Sequence, residues 1–390
     1  MSNFSLSRMT DAKWVRRWLV NDVLPRRLKL AIVTSGIILY PRYKRYALEF
    51  ARVNSDVDYD RVKSLLDKKE FGAAWSEIYA PAVGARVETL SELEYHCYIE
   101  YSLNHILHAD KIGSQKNYRA LGLDFPHLPT IAFIRKGRLY ASDGVTEVPP
   151  RADYLKILSI DPDREYLAKP AGLDSGSGRA VAIMTGRDMP NRLKDLANQS
   201  NLYIVQEVFR GHDFFRGLNS TSLNTIRFMT LKVDNRPRLL SAVLRVGRPG
   251  RVTDNVSSGG GVFIGVDEHG RLRDRALDSE FRAHGKLPDS GLAFAGLQIP
   301  HYQKMVDMCL KAHAGLRNLG VLSWDVALSE KNEPVVVEVN CAYQGIGIHQ
   351  AVNPGSLLPL MPYRVSWWER MRRVWDPYPT DSDLRESPGA

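Results

Sequence analysis

Asp325, Glu338 and Asn340 are the residues whose types and spacing point most directly to chemistry. They lie in VLSWDVALSEKNEPVVVEVNCAYQGIG, Val321–Gly347. The stretch reads as two strands, Val321–Leu328 and Val335–Val339, joined by a polar turn over Ser329–Pro334. Glu338 and Asn340 are two apart, so on a strand they face one side. Asp325 on the neighbouring strand can join them. Two carboxylates and an amide oxygen form a hard-oxygen set suited to Mg²⁺, with phosphate oxygens filling the remaining positions. A carboxylate inside an apolar run is costly without a partner. The plainer alternative is a Glu338 half exposed at a sheet edge and an Asp325 that caps a turn. The second strand is β-branched and almost wholly apolar, which predicts burial.

Cationic and small residues elsewhere could serve the same chemistry. In EYLAKPAGLDSGSGRAVAIM, Glu165–Met184, a short strand presents Lys169 and leads into a loop with Ser175, Gly176 and Gly178. Small residues let backbone N–H groups approach phosphate, and Lys169 adds charge. The pattern is neither a P-loop nor a G-x-G-x-x-G turn before a helix; a plain glycine hairpin is the alternative. Arg227 leads the strand Phe228–Val233, and Leu239–Arg245 returns beside it. Two guanidiniums on paired strands can face one site and suit spread phosphate charge; surface arginines are the alternative. The strand Leu202–Val208 ends in Gln206, Glu207 and Val208, which can offer backbone groups to an adenine edge and Glu207 to a ribose. His96, Cys97, His105 and His108 have no familiar zinc spacing and read as helix-packing residues.

The elements that must position these groups follow from periodicity. Helices are predicted over Arg61–Lys69, Leu90–His108, Lys111–Leu121, Asp188–Gln199 and Pro300–Leu319. Strands are predicted over Ile131–Ile134, Leu139–Ala141 and Ala180–Met184 besides those above. Gly345–Pro359 reads as a loop punctuated by glycine and proline. His212 and Asp213 fall where a substrate loop can lie.

Composition sets bounds. The 390 residues can bury a large core and divide into lobes. The net charge of +9 is concentrated in residues 1–52, with eleven Lys/Arg against three acids. That bias favours anionic partners. Trp14 and Trp18 near the start, and Trp367, Trp368 and Trp375 in the tail, accompany arginines, so peripheral membrane contact through these ends is an alternative to simple packing. Nucleic acid is the less favoured partner. Three widely spaced cysteines, Cys97, Cys309 and Cys341, fit a reducing compartment. There is no secretory signal, and Leu30–Tyr40, the longest apolar run, is too short to span a bilayer. A cytoplasmic protein is expected, with the inner membrane surface as the site of any peripheral contact.

The order of the motifs is more specific than any of them. Lys111, Lys169 with SGSG, QEV, HDFFRGLNSTSLNTIR, LRVGRPGRVTDNVSSGG and LSWDVAL followed by VVVEVN resemble the ATP-grasp superfamily, closest to its sugar-transfer-associated, glutamate-ligase-like branch. The likeness covers about residues 105–355. It implies an α+β fold of two lobes around a nucleotide cleft, preceded here by a mainly helical region. The expected division is 1–110 (basic, helical), 111–209 (first lobe), 210–360 (second lobe with the metal site) and 361–390 (tail). The resemblance further implies that Lys111 and Lys169 contact the phosphates of ATP; Lys116 competes for the first role. Gln206, Glu207 and Val208 would read ribose and adenine. Ser175, Gly176 and Gly178 would belong to a mobile lid, and Asn255 would lie near metal and phosphate. Asp325, Glu338 and Asn340 would hold Mg²⁺, and Arg227 and Arg245 would stabilise the transferring phosphoryl group. The implied reaction joins a carboxylate to an amine through an acyl-phosphate; an amino acid joined to a sugar or a small carboxylate is one form of it. A kinase that stops at phosphoryl transfer, and a non-catalytic protein that binds membrane or nucleic acid, are the alternatives.

Overall fold

A computed structural model describes residues 39–104, 109, 112, 118, 123–149, 153–170, 181–197, 202–250, 261–342 and 344–364. Among the described residues, four helical segments come first. Tyr59–Asp67 is capped by Asp58, whose side chain accepts from the Arg61 N–H. Phe71–Val83 ends at Gly84, which takes the left-handed conformation (φ 82°) that a residue without Cβ adopts freely. This second helix was not predicted. Eight of its thirteen residues are buried, so it lacks the one-sided stripe by which an amphipathic helix is recognised. Before both lies Leu39–Val53.

The fourth segment opens on a capping box between Ser91 and Glu94 and runs Glu92–Glu94. It passes through a π-helical turn, Tyr95–Ile99, into Glu100–Leu103. The predicted helix to His108 is shorter in the described part, because Asn104 is already extended. No helix among the described residues is long and apolar enough to cross a membrane.

Among the described residues, thirteen strands form two antiparallel sheets. The smaller contains β1 (Thr130–Arg135), β2 (Arg138–Ala141), β3 (Glu147–Val148), β4 (Glu165–Pro170), β5 (Ala182–Thr185) and β6 (Tyr203–Glu207). Their order is β3-β2-β1-β6-β4-β5. The helix Met189–Ala197 packs on one face, burying Met189 and Leu193 against Ile134, Tyr166 and Val205.

The larger sheet contains β7 (Thr225–Val233), β8 (Arg236–Val246), β9 (Val262–Val266), β10 (Leu272–Leu277), β11 (Ala283–His284), β12 (Val321–Leu328) and β13 (Pro334–Asn340). The order is β11-β10-β9-β8-β7-β12-β13. One face takes the helix Tyr302–Gly315: Met305 and Cys309 join Phe228, Leu244, Ile264 and Trp324 in a single core. Fully burying a side chain of this size stabilises by about 1.5–3 kcal/mol.

The opposite face of the larger sheet is covered by the N-terminal helices. Trp75 and Tyr79 pack with Val243 and Phe263, and Tyr95 and Ile99 pack with Met229, Leu231 and Val321. The basic N-terminal region is therefore, in its described part, a second layer on this sheet.

The strand predicted as buried, Val335–Val339, is half-buried with alternating exposure. Among the described residues it is the outermost strand of its sheet; Val339 N–H donates to Tyr118 Oη at 2.7 Å, and a short parallel bridge reaches His127. There Leu128 N–H donates to Val336 O at 3.2 Å and Val336 N–H donates to Pro126 O at 2.8 Å. A run of valines suits either a central strand or an edge covered by a neighbouring segment, and the apolar pattern does not separate the two.

Candidate functional site: a charged cluster on the larger sheet

Register brings the charged residues together. Arg227 stands opposite Asp325, Asp325 opposite Glu338, and Ser323 opposite Asn340. Thr225 stands opposite Arg245. Residues opposed in antiparallel pairs share a face, so Arg245, Arg227, Asp325, Glu338 and Asn340 lie on the face that also meets the N-terminal helices.

Arg227 grips Asp325 with a two-pronged fork, Nε to Oδ1 at 2.7 Å and Nη2 to Oδ2 at 2.8 Å. Arg245 Nη2 approaches Asp325 Oδ2 at 3.5 Å and donates to Thr225 Oγ1 at 3.1 Å. Asp325 is only 3% exposed. Such burial alone would raise its pKa. The charges of Arg227 and Arg245 and the hydrogen bonds from Arg227 prevail and hold it well below the usual carboxylate range. Asn340 also favours the ionised form, yet its Nδ2 is buried without a hydrogen bond of good geometry among the described residues.

The sequence reading expected the arginines to face a phosphoryl group and Asp325 to face a metal. In this structure both oxygens of Asp325 are taken by Arg227. The Arg227 fork sits on the strand beside Asp325, and two bonds of this kind are short and strong.

His349 completes the surroundings and was not singled out from sequence. It lies on the helix Gly347–Val352, inside the segment predicted as a loop. The ring is fully buried, and neither nitrogen has a hydrogen-bond partner among the described residues. Burial and the nearby Arg227 and Arg245 charges outweigh Asp325 and bring its pKa down to about 3, so the imidazole is neutral. The only signal in the sequence is one histidine soon after the EVN strand end.

The segment before His349 is held by a second charged cluster. His96 Nδ1 meets Glu100 Oε2 at 2.8 Å, and Nε2 meets Glu92 Oε2 at 3.1 Å. Glu100 Oε1 accepts from Gln344 N–H at 3.1 Å. Glu92 Oε1 accepts from the N–H groups of Ile346 and Gly347, each at 3.0 Å. Burial would lower the His96 pKa, but Glu100 and Glu92 raise it to about 9. His96 thus does pack its helix, as predicted, and also ties that helix to the chain leading to His349.

On the smaller sheet, Lys169 stands opposite Ile204, which stands opposite Phe133. This face is opposite the one covered by Met189–Ala197. Gln206 is buried; its Nε2 donates to Leu128 O at 3.1 Å, and its Oε1 has no partner among the described residues. Glu207 pairs with Arg164, and Val208 N–H donates to Glu165 O at 2.9 Å. Lys111, Lys116, Ser175, Gly176, Gly178 and Asn255 lie outside the described residues, as do the basic ends with their tryptophans.

As for metal, the described residues contain no group of three His, Cys, Asp or Glu arranged for one. The donors on the charged face are oxygens only: the carboxylates of Asp325 and Glu338 and the Asn340 amide. The oxygens of these side chains are of the kind a hard divalent cation takes, and an ionised carboxylate has about four acceptor sites, of which the Arg227 fork uses two on Asp325.

A family described as sugar-transfer associated ATP-grasp matches residues 109–363. No curated protein matches the chain. Similar solved structures include N5-carboxyaminoimidazole synthetase from Staphylococcus aureus, complexed with ADP, at 9% identity and TM-score 0.34 over 60% of this chain and 45% of that one. D-cycloserine synthetase DcsG has 12% identity and TM-score 0.34 over 84% and 93%. The D-alanine-D-alanine ligase from Coxiella burnetii has 11% identity and TM-score 0.34 over 61% and 50%. The chain thus spans about half the length of the first of these, at 45%.

Proposed function

Because the chain belongs to the sugar-transfer-associated ATP-grasp family, we propose that it is an ATP-dependent carboxylate–amine ligase. The observation that carries this reading is the face on which Arg227, Arg245, Asp325, Glu338 and Asn340 meet. Phosphoryl transfer asks for positioning and charge neutralisation more than for a protein nucleophile.

In the proposed reaction a substrate carboxylate oxygen attacks the γ-phosphorus of ATP. The bond to the β–γ bridging oxygen breaks, and ADP leaves. The amine nitrogen then attacks the acyl carbon, inorganic phosphate departs, and the nitrogen gives up a proton as the amide forms. Arg227 and Arg245 hold the negative charge of the substrate carboxylate and the phosphoryl oxygens. Lys169 supplies charge from the smaller sheet. Gln206, Glu207 and Val208 edge the nucleotide, and the family resemblance assigns Lys111, Asn255, Ser175, Gly176 and Gly178 to its phosphates. Asp325, Glu338 and Asn340 would hold Mg²⁺, which supplies charge neutralisation to ATP when bound. Ionised Asp325 also keeps both guanidiniums aimed at one place, so the arginines are set before substrate arrives.

The test has two stages. Thermal denaturation with and without Mg²⁺–ATP asks whether the nucleotide binds; a ligand at about 100 times its dissociation constant adds about 2.7 kcal/mol. No metal-dependent shift at any nucleotide concentration sinks the reading. Hydroxylamine then asks what is made: an acyl-phosphate gives a hydroxamate, whereas a kinase that phosphorylates a hydroxyl gives none.

A further inference from the structure

The helix Gly347–Val352 is six residues long, and an isolated helix of that length is not stable in water. It is anchored from outside. Ile346, its N-cap, makes no side-chain cap bond. Glu92 Oε1 takes that role from the helical layer, accepting the Ile346 and Gly347 N–H groups at 3.0 Å each. Gln350 Oε1 accepts from Leu90 N–H at 2.7 Å, and Gln350 Nε2 donates to Leu90 O at 2.8 Å. Past the last turn, Asn353 Nδ2 donates to Ser241 Oγ at 3.0 Å and to Ala242 O at 2.8 Å.

His349 is the polar side chain of this helix that anchors nothing: neither nitrogen has a partner among the described residues. Burying unpaired polar atoms costs about 1–3 kcal/mol, so an apolar side chain would serve better if the helix were only a cover. What the anchors secure is the place of the ring. Ala351 and Val352 share a core with Val243 and Phe263, which stand opposite Arg227 and Arg245 in the sheet. The charges of both arginines and of Asp325 reach the ring. A neutral imidazole brings one donor and one acceptor to that place.

The anchor at the N-terminal end is itself built. Glu92, His96 and Glu100 follow at four-residue intervals, with the π-helical turn Tyr95–Ile99 among them, a distortion frequent at functional sites. The His96 ring bridges the two Oε2 atoms, and both Oε1 atoms turn to the chain over residues 344–347. All three residues precede the stretch that the family match covers.

We propose that Glu92, His96 and Glu100 are positioning residues, which act by holding His349 against the group that Arg227 and Arg245 bind. The proposal rests on the ligase reading for the identity of that group, a phosphoryl group of ATP.

Glu92→Gln and Glu92→Asp separate reach from charge. The first keeps an oxygen where the two N–H groups need it; the second keeps the charge and withdraws it by one methylene. NMR on the full chain with isotope-labelled histidine follows the ring as Mg²⁺–ATP is added, the His349 signal being the one lost in His349→Gln. A shift of that signal is expected in wild type and Glu92→Gln, and its loss in Glu92→Asp, with the thermal shift by Mg²⁺–ATP kept in all three. Should Glu92→Asp not fold, Gly347→Ala displaces the helix start with the carboxylate left intact, since its methyl would lie 3.0 Å from Tyr79 Oη; the same loss is expected. A wild-type response in whichever of these two variants folds overturns the proposal, as does loss of the response in Glu92→Gln. A His349 signal indifferent to Mg²⁺–ATP in a wild-type chain that shows the thermal shift overturns it too, and leaves the ligase reading standing. Absence of the thermal shift in wild type sinks both.

Discussion

Two charged clusters buried among the described residues are finished differently. In the helical region, His96 lies between Glu92 and Glu100, and their remaining oxygens accept backbone N–H groups from residues 344–347. On the sheet, Asp325 is gripped by Arg227 and approached by Arg245. Around it Asn340 Nδ2 makes no hydrogen bond of good geometry, and neither His349 nitrogen has a partner, among the described residues. Buried polar groups are nearly always satisfied in a finished structure. The first cluster reads as a clamp that is complete in itself, the second as one awaiting further donors and acceptors.

The comparison can be broken most directly at Asp325. Asp325→Asn removes the counter-charge of two arginines that are mostly buried, and it is expected to destabilise by about 3–5 kcal/mol. Urea unfolding measures this; a midpoint equal to wild type would mean that the pair carries no structural weight.

His96→Leu is the matching change in the clamp. With the folded pKa raised from 6.5 to about 9, the protonated imidazole contributes about 3 kcal/mol. The sign follows from the raised value. The contribution is fully present below pH 6.5 and is lost as pH rises through about 9. Urea midpoints on either side of that window should show wild type and variant converging at the alkaline end. A gap that does not change with pH would remove His96 protonation from the account.

Glu338→Gln separates function from fold. Turnover is expected to fall about 100-fold, with the melting temperature close to wild type, because Glu338 stands half-exposed on the outermost strand of its sheet. Unchanged turnover would take Glu338 out of the site.

The smallest effect on stability, and the sharpest on the comparison, comes from His349→Leu. Deleting nitrogens that have no partner among the described residues should leave stability unchanged or raise it by up to about 1 kcal/mol, while nucleotide-dependent turnover drops. A large loss of stability would mean that His349 is already satisfied and belongs with the clamp.

Part of this was legible in the sequence. Four strands of the larger sheet were, β7, β8, β12 and β13, because their apolar runs are strong and bounded by turn residues; β9, β10 and β11 were not, and the turn expected at Arg236-Pro237 lies inside β8. That Arg227 and Arg245 face one place was legible from pairing. That both lean on Asp325 was not, since register is fixed by tertiary packing. Phe71–Val83 escaped notice because it is buried almost all round. His349 escaped because a short helix between Gly345 and Pro354 offers too few residues to show a period. The N-terminal helices gave no sign of where they pack: amphipathicity states that a face is buried, and the partner is set elsewhere in the chain.

Asn104 carries a consequence for how this protein can be divided. Its Nδ2 donates to Val321 O at 2.7 Å and Cys341 O at 2.8 Å, and its Oδ1 accepts from Gly320 N–H at 2.8 Å and Val321 N–H at 2.9 Å. One side chain thus laces the start of β12 to the segment just after β13, from a position upstream of residue 109, where the family match begins. A clone trimmed to that border would lose the lacing and bare Val243, Phe263, Met229 and Leu231 to water. The border of kinship and the border of a viable fragment do not coincide. Any recombination that transplants the family's shared part intact must bring the helical layer along, or supply another hydrophobic cover for that side of the sheet.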